Sequence, residues 1–299
     1  MAWFDPINTR FAAIRSSRWS LIGGTSVAVL LLYYSVGGWL AADINPDLAL
    51  RPTPAQLPAG GSVTAAMAAR LIAHEVDEDL WTPNDSWLSR TAWLDNKPAY
   101  QDGLRSTVAV IVAELGGDED IRTATDGLAV PSDRWWIHAS WPFLGGAAES
   151  GYRDAEIALV RYNARLAAGD LAIDRSPAQV AQCLEALAGR LDAVAAPLER
   201  AIAGRPATTD AAADEEFYRV RGSTYAALLL LRALKDDHAA LVRSQQLGLA
   251  WNETTDALDR ATALHPAMVG RGDLTEQGYY LLLARNKLKA LSAAAGAQR

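Results

Sequence analysis

The sequence predicts an all-α protein, in which one N-terminal transmembrane helix precedes an exported helical bundle of about six to eight helices. Three observations indicate this class. Residues 19–42 carry no charged side chain, the rest of the chain is rich in alanine and leucine, and its apolar residues recur every three or four positions. These patterns divide the chain into a short N-terminus (1–18), a transmembrane anchor (19–42), a proline-rich linker (43–60) and a helical domain (61–299).

The uncharged run of residues 19–42 is long enough to cross a bilayer. At a rise of about 1.5 Å per residue, roughly 24 helical residues span about 36 Å, against about 30 Å of hydrocarbon. Trp19 and Trp39 lie near its two ends, where indole rings favour the membrane–water interface. A cleaved signal peptide is the main alternative, but its apolar region normally covers only about 7–15 residues. A buried helix of a soluble protein is a weaker third interpretation, because so long an uncharged run is unusual there.

The charged residues that flank this run predict its orientation. Three arginines precede it, and the first charged residue after it is Asp43. Basic residues near a span stay on the cytoplasmic side. We therefore expect a signal anchor in the bacterial inner membrane, with a cytoplasmic N-terminus and the main domain in the periplasm. The expected membrane-interface residues are Arg15, Arg18, Trp19 and Trp39.

Four prolines lie within residues 43–60, a segment that leads into Gly60-Gly61. Proline-rich chains are extended and semi-rigid. We therefore expect this segment to be a spacer that holds the domain away from the bilayer.

Capping residues and apolar spacing predict the helices of the domain in order. The predicted helices run from Ser62 to the acidic cluster Glu75–Asp79, from Pro98 to Gly116, from Ala148 to Gly169, from Ser176 to about Ile202, and over roughly 239–264 and 274–294. Between these helices, residues 81–96 and 129–147 are predicted to be irregular segments rich in tryptophan.

Two stretches indicate how the helices pack. Between residues 180 and 202, apolar positions are separated by three or four residues, which is the spacing of a helix–helix seam. We therefore expect Leu187 and Leu191 to lie in the core. The stretch Thr224–Leu234 is apolar almost all round, and it is too short for a second membrane span. It is predicted to be a central, fully buried helix.

Composition excludes several classes of function. The chain has 28 basic and 35 acidic side chains, a net charge of −7. This charge argues against nucleic acid or anionic lipid surfaces as the principal ligand. The single cysteine, Cys183, rules out an internal disulfide and is expected to be a small core residue. The four histidines lack zinc-ligand spacing, so that we expect no metal and no cofactor.

Several short motifs occur in the order in which one protein family carries them. They are Gly60-Gly61-Ser62, Trp81-Thr82-Pro83-Asn84-Asp85, Leu94-Asp95-Asn96, Tyr162-Asn163, Phe217-Tyr218 and Thr275-Glu276-Gln277-Gly278-Tyr279-Tyr280. In these motifs the chain resembles a proteobacterial family of membrane-anchored proteins that is catalogued as a domain of unknown function. The resemblance implies a single anchor and a helical exported domain, and it supplies no catalytic residues. The chain departs from the family at Lys97, where an apolar residue is expected, and in a shortened middle region.

The aromatic segment from Trp81 to Asn96 is the candidate binding region. Its candidate partner-binding residues are Trp81, Pro83, Asn84, Asp85, Trp87, Trp93, Asp95 and Asn96. Indole rings offer a large apolar area, as in interface hot spots. Proline and Asx residues fix the shape of a loop before binding and so lower the entropic cost of association. We expect an ordered, surface-proximal loop that recognises a protein partner.

Carboxylates near this segment leave a second class of function open. A glycan-cleaving envelope enzyme needs one or two poised carboxylates. The candidates are Glu75, Asp77, Asp85, Asp95, Glu149 and the run Asp214–Glu216. The structural alternative is that Asp85 and Asp95 cap turns or helices and that the acidic run occupies a first helical turn. We therefore expect a non-catalytic accessory subunit of an envelope or membrane complex, with a glycan-active or glycan-binding protein as the alternative.

Overall fold

The computed structural model describes residues 22–33, 36, 44, 46–85, 96–135, 146–204, 211–266 and 268–297. The chain divides into two compact units, one of Met1–Asp43 with Ser86–Leu94 and one of Ile44–Asp85 with Asp95–Arg299. In the described residues of both units, every regular element is helical. The predicted all-α class is therefore confirmed.

In the first unit, residues 22–33 form a helix, and Val36 is helical as well. Every one of these side chains is exposed; Leu31 and Leu32 expose 62% and 64% of their surface. The four predicted interface residues lie outside the described residues: Arg15, Arg18, Trp19 and Trp39. No helix within the described ranges has both the length and the hydrophobicity needed to cross a membrane.

The second unit contains nine α-helices among its described residues. In chain order they are α1 (Val63–Ala73), α2 (Asn96–Glu114), α3 (Glu119–Leu128), α4 (Ala148–Ala168), α5 (Pro177–Ala203), α6 (Ala211–Asp237), α7 (Ala239–Ser244), α8 (Gly248–Ala263) and α9 (Arg271–Gly296). Helix α1 continues into a π-helical turn, His74–Glu78.

Helix α6 is the centre of this unit. It packs against α1, α2, α5, α8 and α9. Its stretch Tyr225–Leu231 is almost fully buried, because these residues are apolar on every side and have a helix to cover each of them. The prediction of a central buried helix at Thr224–Leu234 is confirmed.

Helix α5 contributes the predicted packing seam. Leu187 and Leu191 are fully buried, and α5 packs against α6 and α9. Two predicted caps are also present: Ser176 accepts a hydrogen bond from the Gln179 amide at 3.2 Å, and Gly169 ends α4 with a φ of 84°. These local signals identified the ends of α4 and α5 because the groups that satisfy a helix end lie close in sequence.

The N-terminus of α1 is capped from two directions. Ser62 is its N-cap, as predicted, and its Oγ accepts a hydrogen bond from the Ala65 amide at 3.1 Å. The Asp237 carboxylate, at the end of α6, accepts from the Ser62 hydroxyl at 2.8 Å and from the amides of Val63 and Thr64 at 2.8 and 2.9 Å. A carboxylate is favoured there because the amides at a helix N-terminus carry partial positive charge.

The predicted spacer is wrong for the residues of it that the structure describes. Residues 46–60, which we call the strap, pack along the helical body, and Leu50 and Gln56 are buried. Donors from α4 and α6 reach its carbonyl groups: Tyr225 Oη donates to Asp47 O (3.0 Å), Arg232 Nη1 to Leu48 O (3.3 Å) and Asn163 Nδ2 to Gln56 O (2.8 Å). The proline pattern indicated an extended chain correctly, but it carries no information about long-range donors.

Other details depart from the prediction. Helix α3, which starts from an Asp118 N-cap, was not predicted. The expected helix 239–264 is broken into α7 and α8 at Gln246, which has a φ of 56°. The last helix begins at Arg271 and not at about residue 274, and its start is capped because the Gly270 amide donates to Asp273 Oδ2 at 2.8 Å. The predicted number of helices was therefore too low.

Candidate functional site

Helix α1 leaves regular α-helical geometry in the π-helical turn His74–Glu78. Leu80 follows with a φ of 65°, a left-handed conformation that is uncommon for a residue other than glycine. π-helical turns and such backbone outliers are frequent at functional sites. The turn places Glu75, one of the candidate carboxylates, in the interior, where it is only 2% exposed.

Gln101 of α2 occupies the centre of a buried polar network around Glu75. Its Nε2 donates to Glu75 Oε2 (3.1 Å) and to Leu80 O (3.0 Å), and its Oε1 accepts from the amide and hydroxyl of Thr82 (2.9 and 2.8 Å). Both hydrogens and both lone pairs of the amide are thus used. The network fixes the chain between Leu80 and Thr82 against α2.

The other oxygen of Glu75 faces His74. The two residues approach to 3.7 Å between Glu75 Oε1 and His74 Nδ1. Hydrogen bonding to Glu75 raises the pKa of His74, against the opposing effect of partial burial. The buried carboxylate therefore accepts a hydrogen bond from the Gln101 amide through one oxygen, and its other oxygen lies near the imidazole of His74.

Lys97 occupies the position where the family resemblance predicts an apolar residue. It is 3% exposed, and its Nζ donates to the backbone carbonyl of Asp79 (2.7 Å) and to Asp79 Oδ1 (3.1 Å). A buried ammonium group needs such a partner because desolvation of an unpaired charge is costly. Lys97 thus adds a second attachment of the chain at Asp79 to α2.

Trp81 joins the two tryptophan-rich segments. It is 3% exposed, and its indole Nε1 donates to Ser132 O at 3.2 Å. Its ring meets Tyr152 edge-on, with 4.8 Å between the centroids. The hydroxyl of Tyr152 in turn donates to Val130 O at 2.8 Å, and burial raises the pKa of this tyrosine. Trp81 therefore acts as a core residue that holds 131–135 and α4 together.

Asn84 makes the same connection with hydrogen bonds. Its Nδ2 donates to Arg134 O (3.0 Å) and to Glu149 Oε2 (2.6 Å) in the first turn of α4. Two segments that are about 50 residues apart in sequence, 81–85 and 131–135, thus lie side by side. The sequence carried no signal for this pairing beyond the shared tryptophan content of the two segments.

The candidate partner-binding residues fall into three groups. Trp81 and Asn84 are buried, so that the predicted surface-proximal role is wrong for these two. Three more are partly buried: Pro83, Asp85 and Asn96. The remaining three lie outside the described residues: Trp87, Trp93 and Asp95.

The candidate carboxylates have separate partners. Asp77 pairs with Arg153 at 2.8 Å on the surface, and Glu149 accepts from Asn84. Asp214 lies in the first turn of α6, as the structural alternative predicted. Burial raises the pKa of the neighbouring Glu216, which lies 3.6 Å from Arg219. Apart from Glu75, which is enclosed, none of these side chains is a buried acid at the Trp81 segment.

The next candidates for chemistry are the single cysteine and the side chains that could bind a metal ion. Cys183 is 1% exposed, and burial raises the pKa of its thiol to about 12, which makes it a poor nucleophile. The prediction of a core cysteine is confirmed. Within the described residues, no group of three or more His, Cys, Asp and Glu side chains is arranged to hold a metal ion.

An exposed aromatic surface lies on α9. Tyr279 exposes 63% of its surface, and its ring centroid lies 5.3 Å from that of Tyr280. Tyr279 lines two adjoining depressions, one of about 560 Å³ with Thr275 and Glu276 and one of about 310 Å³ with Tyr280 and Leu283. We call Tyr279, Tyr280 and Leu283 the tyrosine face. The buried residues of α9 include Leu274, Gln277, Leu281 and Leu288. Their spacing of three, four and seven positions puts them on one side of the helix, so that Tyr279 lies on the opposite side.

No protein-family model, curated protein or solved structure matches this chain. The resemblance to the membrane-anchored family therefore stays a prediction.

Proposed function

We propose that this chain is a single-pass protein of the bacterial inner membrane, whose periplasmic helical domain is a non-catalytic interaction module. The helix at residues 22–33 supports the anchor, because it is free of charged residues and exposes the continuous apolar run of residues 27–32. A contiguous apolar surface of this kind is unfavourable in water and needs a lipid or protein cover. The uncharged run of 19–42 and the arginines before it agree with this proposal.

The enclosed network around Glu75 is the observation that carries the non-catalytic role. A general acid or base must come within hydrogen-bonding reach of a substrate. Glu75 is 2% exposed, and its oxygens face Gln101 and His74. Trp81 likewise uses its ring and its N–H group inside the fold. This arrangement fits a structural element that fixes the chain, because Glu75 is enclosed and is held through Oε2 by Gln101.

The tyrosine face is the described surface that best suits a protein partner. Tyrosine is enriched at binding hot spots, because it gives large contact area with few rotatable bonds. Charged side chains surround it, among them Glu276 in one depression and Glu253 and Lys287 in the other. An apolar centre with a polar rim is the usual anatomy of a protein interface. The partner we propose is therefore a protein of the inner membrane or periplasm.

Affinity purification from the native membranes tests this proposal. The full-length chain is cross-linked in cells and purified as wild type, as Tyr279→Ser and as Ile157→Ser. Ile157 is the matched control, since it is an exposed apolar residue of α4 that lies outside the tyrosine face. We expect a specific protein to co-purify with wild type and with Ile157→Ser and to be lost with Tyr279→Ser. Retention of every co-purifying protein by Tyr279→Ser would contradict the proposed surface.

Three further measurements separate the remaining alternatives. We expect that a reporter enzyme that folds only in the periplasm is active when it is fused after Arg299. If only a reporter that requires the cytoplasm were active there, the proposed orientation would be contradicted. Trp87→Ala tests whether the Trp81–Asn96 segment also contributes to the partner site. A glycan-cleaving activity that Asp85→Asn removes, without a change in stability or partner binding, would instead establish the enzymatic alternative.

A further inference from the structure

A groove lies between the strap and helices α1, α6 and α8. It has a volume of about 590 Å³, within the range of about 300–1,000 Å³ that is usual for small-molecule sites. Partly buried apolar side chains of the strap and α1 line it, namely Pro52, Leu57 and Val63. The buried core side chains Met67 and Leu229 lie beneath this lining, so that the packing of the domain holds it in place.

Cationic side chains also line this groove. Arg232 and Lys235 are three residues apart on α6 and so share one side of that helix, and the strap adds Arg51. Asp236 is the one acidic residue among the lining residues of the groove. The lining therefore carries an excess of positive charge, on a chain whose net charge is −7.

Two of these cations have no carboxylate partner within the described part of the chain. Lys235 Nζ donates to the neutral side chain of Asn252 at 2.7 Å, and Arg51 Nη1 donates to the backbone carbonyl of Leu50 at 2.8 Å. Arg232 is shared between Leu48 O at 3.3 Å and a long approach to Asp259 at 3.7 Å. An anionic ligand would give these cations a negatively charged acceptor in place of the neutral oxygens that they now contact.

We infer that this groove binds a long-chain fatty acid, with the acyl chain on the apolar lining and the carboxylate at the cations. An inorganic anion would leave the apolar lining uncovered, and a neutral lipid would leave the cations without a partner. This inference is independent of the partner surface on α9.

Photochemical labelling of the full-length chain tests the inference. The protein is reconstituted in nanodiscs of neutral phosphatidylcholine and irradiated with a diazirine derivative of palmitate or with the methyl ester of the same probe. Labelled peptides are mapped by mass spectrometry, which distinguishes the groove from any lipid-exposed segment. We expect palmitate to label peptides that contain Leu57, Met67 or Thr255, and the ester to label them about tenfold less, because it lacks the charge.

Variants of the cations give the second measurement. The double substitution Arg51→Gln with Lys235→Gln removes two positive charges and is expected to reduce labelling of the groove peptides about tenfold. Arg122→Gln, an exposed arginine of α3, is the control and should label as wild type does. Equal labelling by acid and ester, labelled peptides confined to other parts of the chain, or full labelling of the double variant would each overturn the inference.

Discussion

Gly222 of α6 lies directly against the backbone of Tyr100 in α2. A Cβ atom on Gly222 would fall 2.0 Å from Tyr100 O and 2.8 Å from its carbonyl carbon. Gly103 makes the reciprocal contact from α2, with the carbonyl oxygen of Arg219 at 2.2 Å from its hypothetical Cβ. The two helices therefore approach so closely at these glycines that neither can accept a side chain without moving.

The substitution Gly222→Ala is expected to lower the free energy of unfolding by about 1–3 kcal/mol or more, because it forces two backbones apart. Gly189→Ala is the matched control. Gly189 lies exposed in the middle of α5 with open space around its Cα, so that alanine should raise the free energy of unfolding by about 0.5–1 kcal/mol. Thermal unfolding followed by circular dichroism measures both; a Gly222→Ala protein as stable as the Gly189→Ala protein would contradict the close approach.

Truncation of the α5 seam gives a second prediction. Leu187 is fully buried, and Leu187→Ala should lower the free energy of unfolding by about 2–5 kcal/mol through lost burial and the cavity that remains. Glu185→Ala, an exposed residue of the same helix, should change it little. The measurement is the denaturant midpoint of each variant. An unchanged midpoint for Leu187→Ala would mean that the seam faces solvent.

Replacement of Gln101 tests the buried network. Gln101→Leu removes the oxygen that accepts from both the amide and the hydroxyl of Thr82, and it removes the donor to Glu75 Oε2. Each polar group left buried without a partner costs about 1–3 kcal/mol. Gln182→Leu makes the same chemical change on an exposed face of α5 and is the control. We expect a large loss of thermal stability for Gln101→Leu alone. If the two variants melt at the same temperature, the network contributes no net stability.

The imidazole of His74 should contribute to the pH dependence of the free energy of unfolding. Its pKa is raised by Glu75, so that the stabilisation it provides is complete below the unfolded value of about 6.5 and is lost as the pH rises through the raised pKa. The stability difference between wild type and His74→Gln should therefore shrink above about pH 6.5. His238→Gln should show the opposite pH dependence. Burial lowers the pKa of His238, so that protonation of this residue destabilises the wild-type protein as the pH drops below about 6.5, and the variant lacks this loss. A difference for His74→Gln that grows with pH would contradict the contact with Glu75.

The elements that sequence could predict are those determined by neighbouring residues. Ser176 and Gly169 satisfy helix ends within three or four positions, and Leu187 belongs to a series with constant spacing. The central helix was recognisable because a stretch apolar on all sides must be covered on all sides. These features need no knowledge of the rest of the chain.

The candidate site was harder to predict because its contacts are long-range. Composition predicts Trp81 to be an exposed binding residue, yet its indole N–H donates to Ser132 O and its ring packs edge-on against Tyr152. The proline content of the strap predicts a free spacer, because nothing local indicates that Tyr225 supplies a donor to Asp47 O. Tryptophan content and proline content report what a segment is able to do, while burial depends on which distant segment meets it.

Asp237 caps the first helix of the domain although it lies 175 residues after Ser62 in the sequence. Synthesis from the N-terminus produces α1 before α6, so that the amide groups at the start of α1 lack this carboxylate until the end of α6 has been made. Until then α1 depends on Ser62 and on solvent, and the closure of so long a loop carries an entropic cost that slows folding. The completed domain is thus tied to the emergence of its C-terminal third, and a ribosome that stalls before residue 237 would leave α1 without its cap.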